Sequence, residues 1–98
     1  MSYVLRFNPK AARGRWHELV EVLKNQRDSL GEGTVARIYT NVFGDADQLI
    51  AEIEFPNIES AAKAYEATFE GEQEAQLQES GWYDLVASQR VEIWKLVD

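Results

Sequence analysis

An α+β domain with the element order βαββαβ is the fold class this sequence predicts, and three observations predict it. Four segments read with period two, the periodicity of strands, near residues 3–8, 34–43, 48–55 and 88–97. Two longer segments, after the first and third of these, carry apolar residues with the period of a helix. Proline, glycine and aspartate punctuate the joins, at Pro9, Gly31–Gly33, Gly44–Asp47 and Pro56.

The first strand sets Tyr3, Leu5 and Phe7 on one side and Val4, Arg6 and Asn8 on the other. Pro9, lacking an N–H for the ladder, is predicted to end it. From about Ala11 to Leu30, Trp16, Leu19, Val20, Leu23, Arg27 and Leu30 share one stripe of a helical wheel. Gly31 is the predicted left-handed cap of that helix. Strands two and three follow as about Thr34 to Phe43 and Gln48 to Phe55, joined by the turn Gly44–Asp47. Pro56 stops the pairing, and Asn57 is placed to cap a helix beginning at Ile58. Ile58, Ala61, Ala62, Tyr65, Thr68 and Phe69 form the inner side of this second helix. Gly71 breaks it, a shorter helical piece runs to Gly81, and Gly81–Val86 reads either as a loop or as an extended lead-in. The last strand spans about Ser88 to Val97.

Two right-handed βαβ crossovers are satisfied by one antiparallel sheet in the order 4-1-3-2, with both main helices on one face: the ferredoxin-like plan. Tyr3, Leu5, Phe7, Leu49, Ala51, Ile53, Phe55, Val91, Ile93 and Val97 are predicted beneath the helices. The other face then holds Val4, Arg6, Asn8, Gln48, Ile50, Glu52, Glu54, Arg90, Glu92, Trp94 and Leu96, with Arg37 and Tyr39 assigned there as well. Arginines opposite glutamates, interleaved with a tryptophan, suit a surface closed by a second sheet better than one facing water. A single domain of 98 residues buries only about 65% of its unfolded surface, a shortage that dimerisation relieves. Arg6, Arg37, Glu52, Glu54, Arg90, Glu92 and Trp94 are the predicted dimer face.

Composition narrows the function classes. Cysteine is absent, which removes disulfides, thiolate catalysis and sulfur metal sites. Net charge is −7, concentrated in the second half, and this argues against a nucleic-acid partner. No apolar run approaches the ~18 residues of a membrane span. The opening MSYVLRFNPK has no signal-peptide core, so the expected setting is the cytoplasm with no membrane partner.

The opening YVLRFNPK, the basic RGRWHELVEVL, the hairpin ARIYTNVFGDADQLIAEIEF, the following FPNIESAAKAYEA and the closing SQRVEIWKLV resemble, in that order, the dimeric α/β-barrel superfamily. Within it they resemble the NIPSNAP-like and antibiotic-biosynthesis-monooxygenase-like groups. The resemblance spans nearly the whole chain. It implies two ferredoxin-like sheets closing into a barrel as a homodimer, and a pocket in each subunit between sheet and helices. It does not imply one chemistry, since relatives include cofactor-independent oxygenases, haem-degrading enzymes, lactone isomerases and ligand-sensing modules.

Among candidate groups, His17 falls about 100° from the centre of the apolar stripe, a position for a surface or interface histidine. Haem-degrading relatives have an asparagine on the first strand, where Asn8 stands, and an aromatic on the second helix, where Tyr65 stands. They also place an iron-binding histidine there, and residues 58–80 contain none, so no haem is expected. Glu70, Glu72 and Glu74 lack a histidine partner and read as solvated helix, so no metal is expected. Lys10, Arg13 and Arg15 crowd the start of the first helix against its dipole, a conflict that an acidic partner surface or a bound anion would offset. Trp16, Tyr39, Tyr65, Phe69, Trp82 and Tyr83 are the predicted lining of a pocket for a small hydrophobic or aromatic molecule, with no cofactor. The competing reading is that these rings only fill the core. The functional expectation is therefore a homodimeric NIPSNAP-like binding protein, with a cofactor-independent monooxygenase as the alternative. A lactone isomerase ranks lower, for want of a paired histidine or carboxylate in the first strand or helix.

Overall fold

The structure, a computed structural model, describes residues 2–45, 47–68, 79 and 81–97. Its elements are β1 (Tyr3–Ala11), α1 (Trp16–Asp28), β2 (Ala36–Thr40), β3 (Leu49–Phe55), α2 (Ile58–Thr68), the single turn α3 (Trp82–Leu85) and β4 (Val86–Lys95). The sheet runs β2-β3-β1-β4 with every neighbouring pair antiparallel, the predicted order. The shorter helical piece predicted before Gly81 lies outside the described residues.

Register settles which side chains share a face. Leu5 sits opposite Ile53 and Ile93, and Arg6 opposite Glu52 and Glu92. Ala36 faces Ile53 and Ile38 faces Ala51, which leaves Arg37 and Tyr39 on the other side, opposite Glu52 and Ile50. Strand β2 therefore joins the sheet with Arg37 and Tyr39 on the open face, where the sequence assigns them.

Pro9 does not end β1. Ala11 donates its N–H to the Asp47 carbonyl at 2.8 Å, on the β3 side. Alternation along the strand turns the Pro9 nitrogen to that same side. There the β1–β3 pairs stop at Phe7–Ala51 and resume at Lys10–Gln48. The missing N–H thus interrupts the link to β3, while β4 pairs with β1 from Tyr3–Lys95 through Lys10–Ser88.

Helix α1 is shorter than its periodicity predicts. It begins at Trp16, after Gly14 in left-handed backbone at φ +79°, and it ends at Asp28 with Ser29 still in right-handed helical backbone. Gly31 is not the left-handed position; Gly33 is, at φ +83°. The last turn is closed instead by Ser29, whose Oγ donates to the Gln26 carbonyl at 2.7 Å. Leu19 and Leu23 are the buried pair of the helix, while Leu30, beyond its end, is exposed. At the start, Arg15 pairs with Glu18 in the first turn, through bonds of 2.7 and 3.2 Å. That contact holds the Glu18 carboxyl below its ordinary range. Arg13 has no ion pair among the described residues, and Lys10 reaches Asp45 at 3.2 Å.

Helix α2 starts as predicted. Asn57 Oδ1 accepts the Ser60 N–H at 2.8 Å, satisfying one of the orphan donors of the first turn. Asn57→Ala is expected to lower stability by about 0.5–2 kcal/mol, measured by urea denaturation, whereas Asn57→Asp should be nearly neutral. The Gly81–Val86 stretch, open between loop and lead-in, forms the turn of α3, with Gly81 at φ +78° preceding it. Leu85 accepts the Ala12 N–H at 2.7 Å, which ties this turn to the end of β1.

The core gathers Ala11, Leu19, Leu23, Leu49, Trp82 and Leu85, with Trp16, Val20, Val22, Ile38, Ala51 and Val86 packed around them. It therefore lies between α1, α3 and the sheet. Strand β2 stops at Thr40, so Val42 and Phe43 belong to the hairpin loop, where they are 82% and 94% exposed. Val97, predicted beneath the helices, lies past β4 and is exposed.

Candidate functional site

Two concavities occupy opposite faces of the sheet. The first lies under the helices. Leu5, Ile53 and Phe55 from the sheet, Leu23 from α1, Ala64 from α2 and Trp82 from α3 border a recess of about 380 Å³, within the range of small-molecule sites. Its walls are apolar because they are the inner face of the sheet and the inner stripes of both helices. The space exists because α2 presents small residues there, Ala64 and Thr68, at helical spacing. Polar groups border it where α1 ends and β2 begins, at Gln26, Arg27, Ser29 and Thr34.

Two polar atoms of the lining residues matter. Thr68 donates its hydroxyl to the Ala64 carbonyl at 2.8 Å, so it keeps only acceptor capacity. Trp82 is 2% exposed, and its Nε1 has no hydrogen-bond partner among the described residues. A buried donor left unpaired costs about 1–3 kcal/mol.

Of the six residues predicted to line this pocket, the structure brings Trp82 to it. Trp16 packs against the core cluster and stacks on His17 with ring centroids 3.7 Å apart. His17 itself is exposed, as its place on the helical wheel predicts. Tyr39 is on the opposite face of the sheet, because register pairs it with Ile50. Tyr65 and Tyr83 are on the surface, 38% and 50% exposed, and Phe69 lies outside the described residues. Sequence reasoning placed Thr68 on the inner side of the second helix but not in the pocket lining, and passed over Ala64. Their signal was size: a helix stripe of alanine and threonine cannot fill the space that leucine would.

The open face carries the charges. Arg6 and Arg37 approach Glu52 at 3.6 and 3.9 Å, and Arg37 also donates to Glu54 at 3.2 Å. Glu52 is itself buried, at 8% exposure, in the single chain. The Glu54 carboxylate raises the Arg37 pKa further. The Arg6 guanidinium lies 5.8 Å from the centre of the Trp94 ring, a cation–π distance. Trp94 remains 51% exposed, and Leu96 beyond it likewise. Arg90 and Glu92, the other predicted members of this face, make no ion pair among the described residues. Farther along the face, Asn8, Tyr39, Gln48, Ile50, Ser88 and Arg90 border a wide groove of about 720 Å³.

No group of three or more histidine, aspartate or glutamate side chains is placed to hold a metal among the described residues. None of the described helices is long and apolar enough to cross a membrane.

No family model matches the sequence, and no curated protein matches it. Solved structures do match. A NIPSNAP family protein from Agrobacterium tumefaciens superposes with a TM-score of 0.74 at 13% identity, covering 100% of this chain and 95% of its own. A NIPSNAP-like domain protein from Burkholderia xenovorans gives 0.70 at 13% identity, over 98% of this chain and 85% of its own. An antibiotic-biosynthesis-monooxygenase-like protein from Chloroflexus aurantiacus gives 0.66 at 15% identity, over 100% of this chain and 95% of its own. A four-stranded antiparallel sheet with its helices gathered on one face, read first from periodicity and then from register, is thus the α+β ferredoxin-like fold that this chain shares with NIPSNAP and antibiotic-biosynthesis-monooxygenase-like proteins.

Proposed function

We propose that this protein binds a small hydrophobic or aromatic molecule in the cavity between sheet and helices, as one half of a homodimer closed through the open faces of two sheets. The observation that carries the binding reading is the largely apolar recess of about 380 Å³ bordered by Leu5, Leu23, Ile53, Phe55, Ala64 and Trp82. A core that only needed filling gains nothing from leaving that volume empty, since close packing of such walls is worth several kcal/mol. What supports the dimer is the company kept on the other face. The half-exposed Trp94 ring gains by being covered, and the glutamate between two arginines lets that face be covered with its charges already paired. The setting we propose is the cytoplasm.

An uncharged fluorescent probe tests the cavity directly. We expect 2-naphthol to bind saturably, with quenching of Trp82, which borders the space. Ala64→Phe should fill the space and weaken binding at least tenfold. Leu23→Ala should enlarge it and retain binding. Naphthol affinity that is unchanged in Ala64→Phe, or absent in every variant, removes the cavity as the ligand site.

A cofactor-independent oxygenase is the second reading, and Trp82 favours it. Trp82 borders the cavity and its Nε1 is buried and unpaired among the described residues; a turn of the ring that brought Nε1 to the cavity would let it donate to a carbonyl or phenolate oxygen and stabilise charge building there. Oxygen uptake with an anthrone or naphthol substrate, lost in Trp82→Phe while naphthol still binds, would separate turnover from simple binding.

A further inference from the structure

The groove on the open face is a different place from the cavity, and its chemistry is different. Register lays four side chains in a row across the sheet. Tyr39 on β2 faces Ile50 on β3, and Asn8 on β1 faces Arg90 on β4. The β1–β3 pairs on either side, Phe7–Ala51 and Lys10–Gln48, put Ile50 beside Asn8. At about 4.8 Å between strands, the row is about 14 Å long. It grades from an aromatic and an aliphatic side chain, through an amide, to a guanidinium.

Two facts mark the Arg90 end. The side chains around the groove include no aspartate or glutamate, and Arg90 has no carboxylate partner among the described residues. In a chain of net charge −7, an arginine left unpaired beside a concavity stands out, given that Arg6 and Arg37 on the same face are both paired. Directly opposite it in register, the Asn8 Oδ1 is buried and accepts no hydrogen bond among the described residues. That orphan acceptor lacks a donor, and a guanidinium has five N–H groups to give.

We propose that this groove is a second binding site, for a small monocarboxylate with an apolar or aromatic body. Arg90 takes the carboxylate through its planar fork, a geometry that fits two carboxylate oxygens side by side. Asn8 is a positioning residue: as Arg90 swings over the sheet, one N–H bonds the Asn8 Oδ1 and the others face the ligand. The ligand body lies along the row toward Ile50 and Tyr39. A single cation with hydroxyl and amide neighbours (Ser88, Gln48) balances a monoanion better than a dianionic phosphate. The site belongs to one protomer and does not depend on the cavity under the helices. A second copy closing on this face would roof it.

Benzoate is the probe, titrated into the full-length chain and followed by amide and arginine side-chain NMR signals, with benzyl alcohol and inorganic phosphate as comparators. We expect saturable benzoate shifts at Asn8, Tyr39 and Ser88–Arg90, with benzyl alcohol at least tenfold weaker. Arg90→Gln should weaken benzoate at least tenfold and, at protein concentrations low enough to keep the chain a single protomer, leave the thermal midpoint unchanged, since Arg90 is exposed in the protomer. Asn8→Ala should weaken benzoate a few-fold and narrow the difference between free and bound Arg90 Nε signals, a change that lost packing alone would not cause. The proposal is overturned by no saturable shift in this row, by equal benzoate affinity in Arg90→Gln, or by phosphate binding as tightly as benzoate. An Arg90→Gln chain that loses self-association instead of benzoate assigns the guanidinium to a partner's carboxylate, which also overturns it.

Discussion

Leu19→Ala should lower the unfolding free energy by about 2–5 kcal/mol, the range for deleting a fully buried leucine. Leu19 has 0% exposure and belongs to the cluster that joins α1 to Leu49, Trp82 and Leu85. It does not border the cavity under the helices, so its methyl groups have packing partners on every side. Leu23, one turn on, borders that space and already lacks partners on one side, so Leu23→Ala should cost less. Urea denaturation of both variants, with equal m-values, checks the ordering. A larger loss at Leu23 than at Leu19 would mean that the space is not empty in solution, and the ligand-site reading would lose its basis.

That contrast also shows what the sequence could and could not disclose. Period-two and helical patterns record which side of an element is apolar, and the order of elements with right-handed crossovers then leaves few topologies. The sheet order, the Asn57 cap and the charged composition of the open face were all legible on those terms. Pro9 was misread because its effect depends on which neighbour its nitrogen faces, and alternation alone does not say so before the sheet order is applied. Gly31 was misread because two glycines stand within Gly31–Gly33 and only the chain's actual exit selects Gly33 for left-handed backbone. The pocket lining was harder still. Aromatic rings were the natural candidates, yet Trp16 was needed for packing and Tyr65 and Tyr83 went to the surface. A cavity is defined by volume that is missing, so its best sequence marker was the small-residue stripe of α2, which no search for chemical groups picks out.

Glu52→Ala should have the other large effect, and its size should depend on protein concentration. The carboxylate lies 3.6 Å from Arg6 and 3.9 Å from Arg37. Its side chain is only 10% exposed, against 35% and 38% for the two arginines. Removing one partner of a fully buried pair costs about 3–5 kcal/mol, and exposed pairs contribute under about 1 kcal/mol. In a single protomer water still screens both guanidinium groups, so a loss of about 1–3 kcal/mol is expected. Arg37 retains Glu54 at 3.2 Å, and Arg6 is the group left without a carboxylate. If two open faces close on each other, that screening water is expelled, and the stranded Arg6 charge weakens the dimer as well as the fold. The wild-type midpoint should then rise with protein concentration, by mass action on the associated state, while the Glu52→Ala midpoint stays nearly flat. The gap between them should widen from about 5 to about 500 µM. A constant gap, with both chains sedimenting as single protomers, would make the arginine–glutamate ladder a feature of an isolated sheet. Trp94 would then owe its place beside Arg6 to the cation–π contact alone.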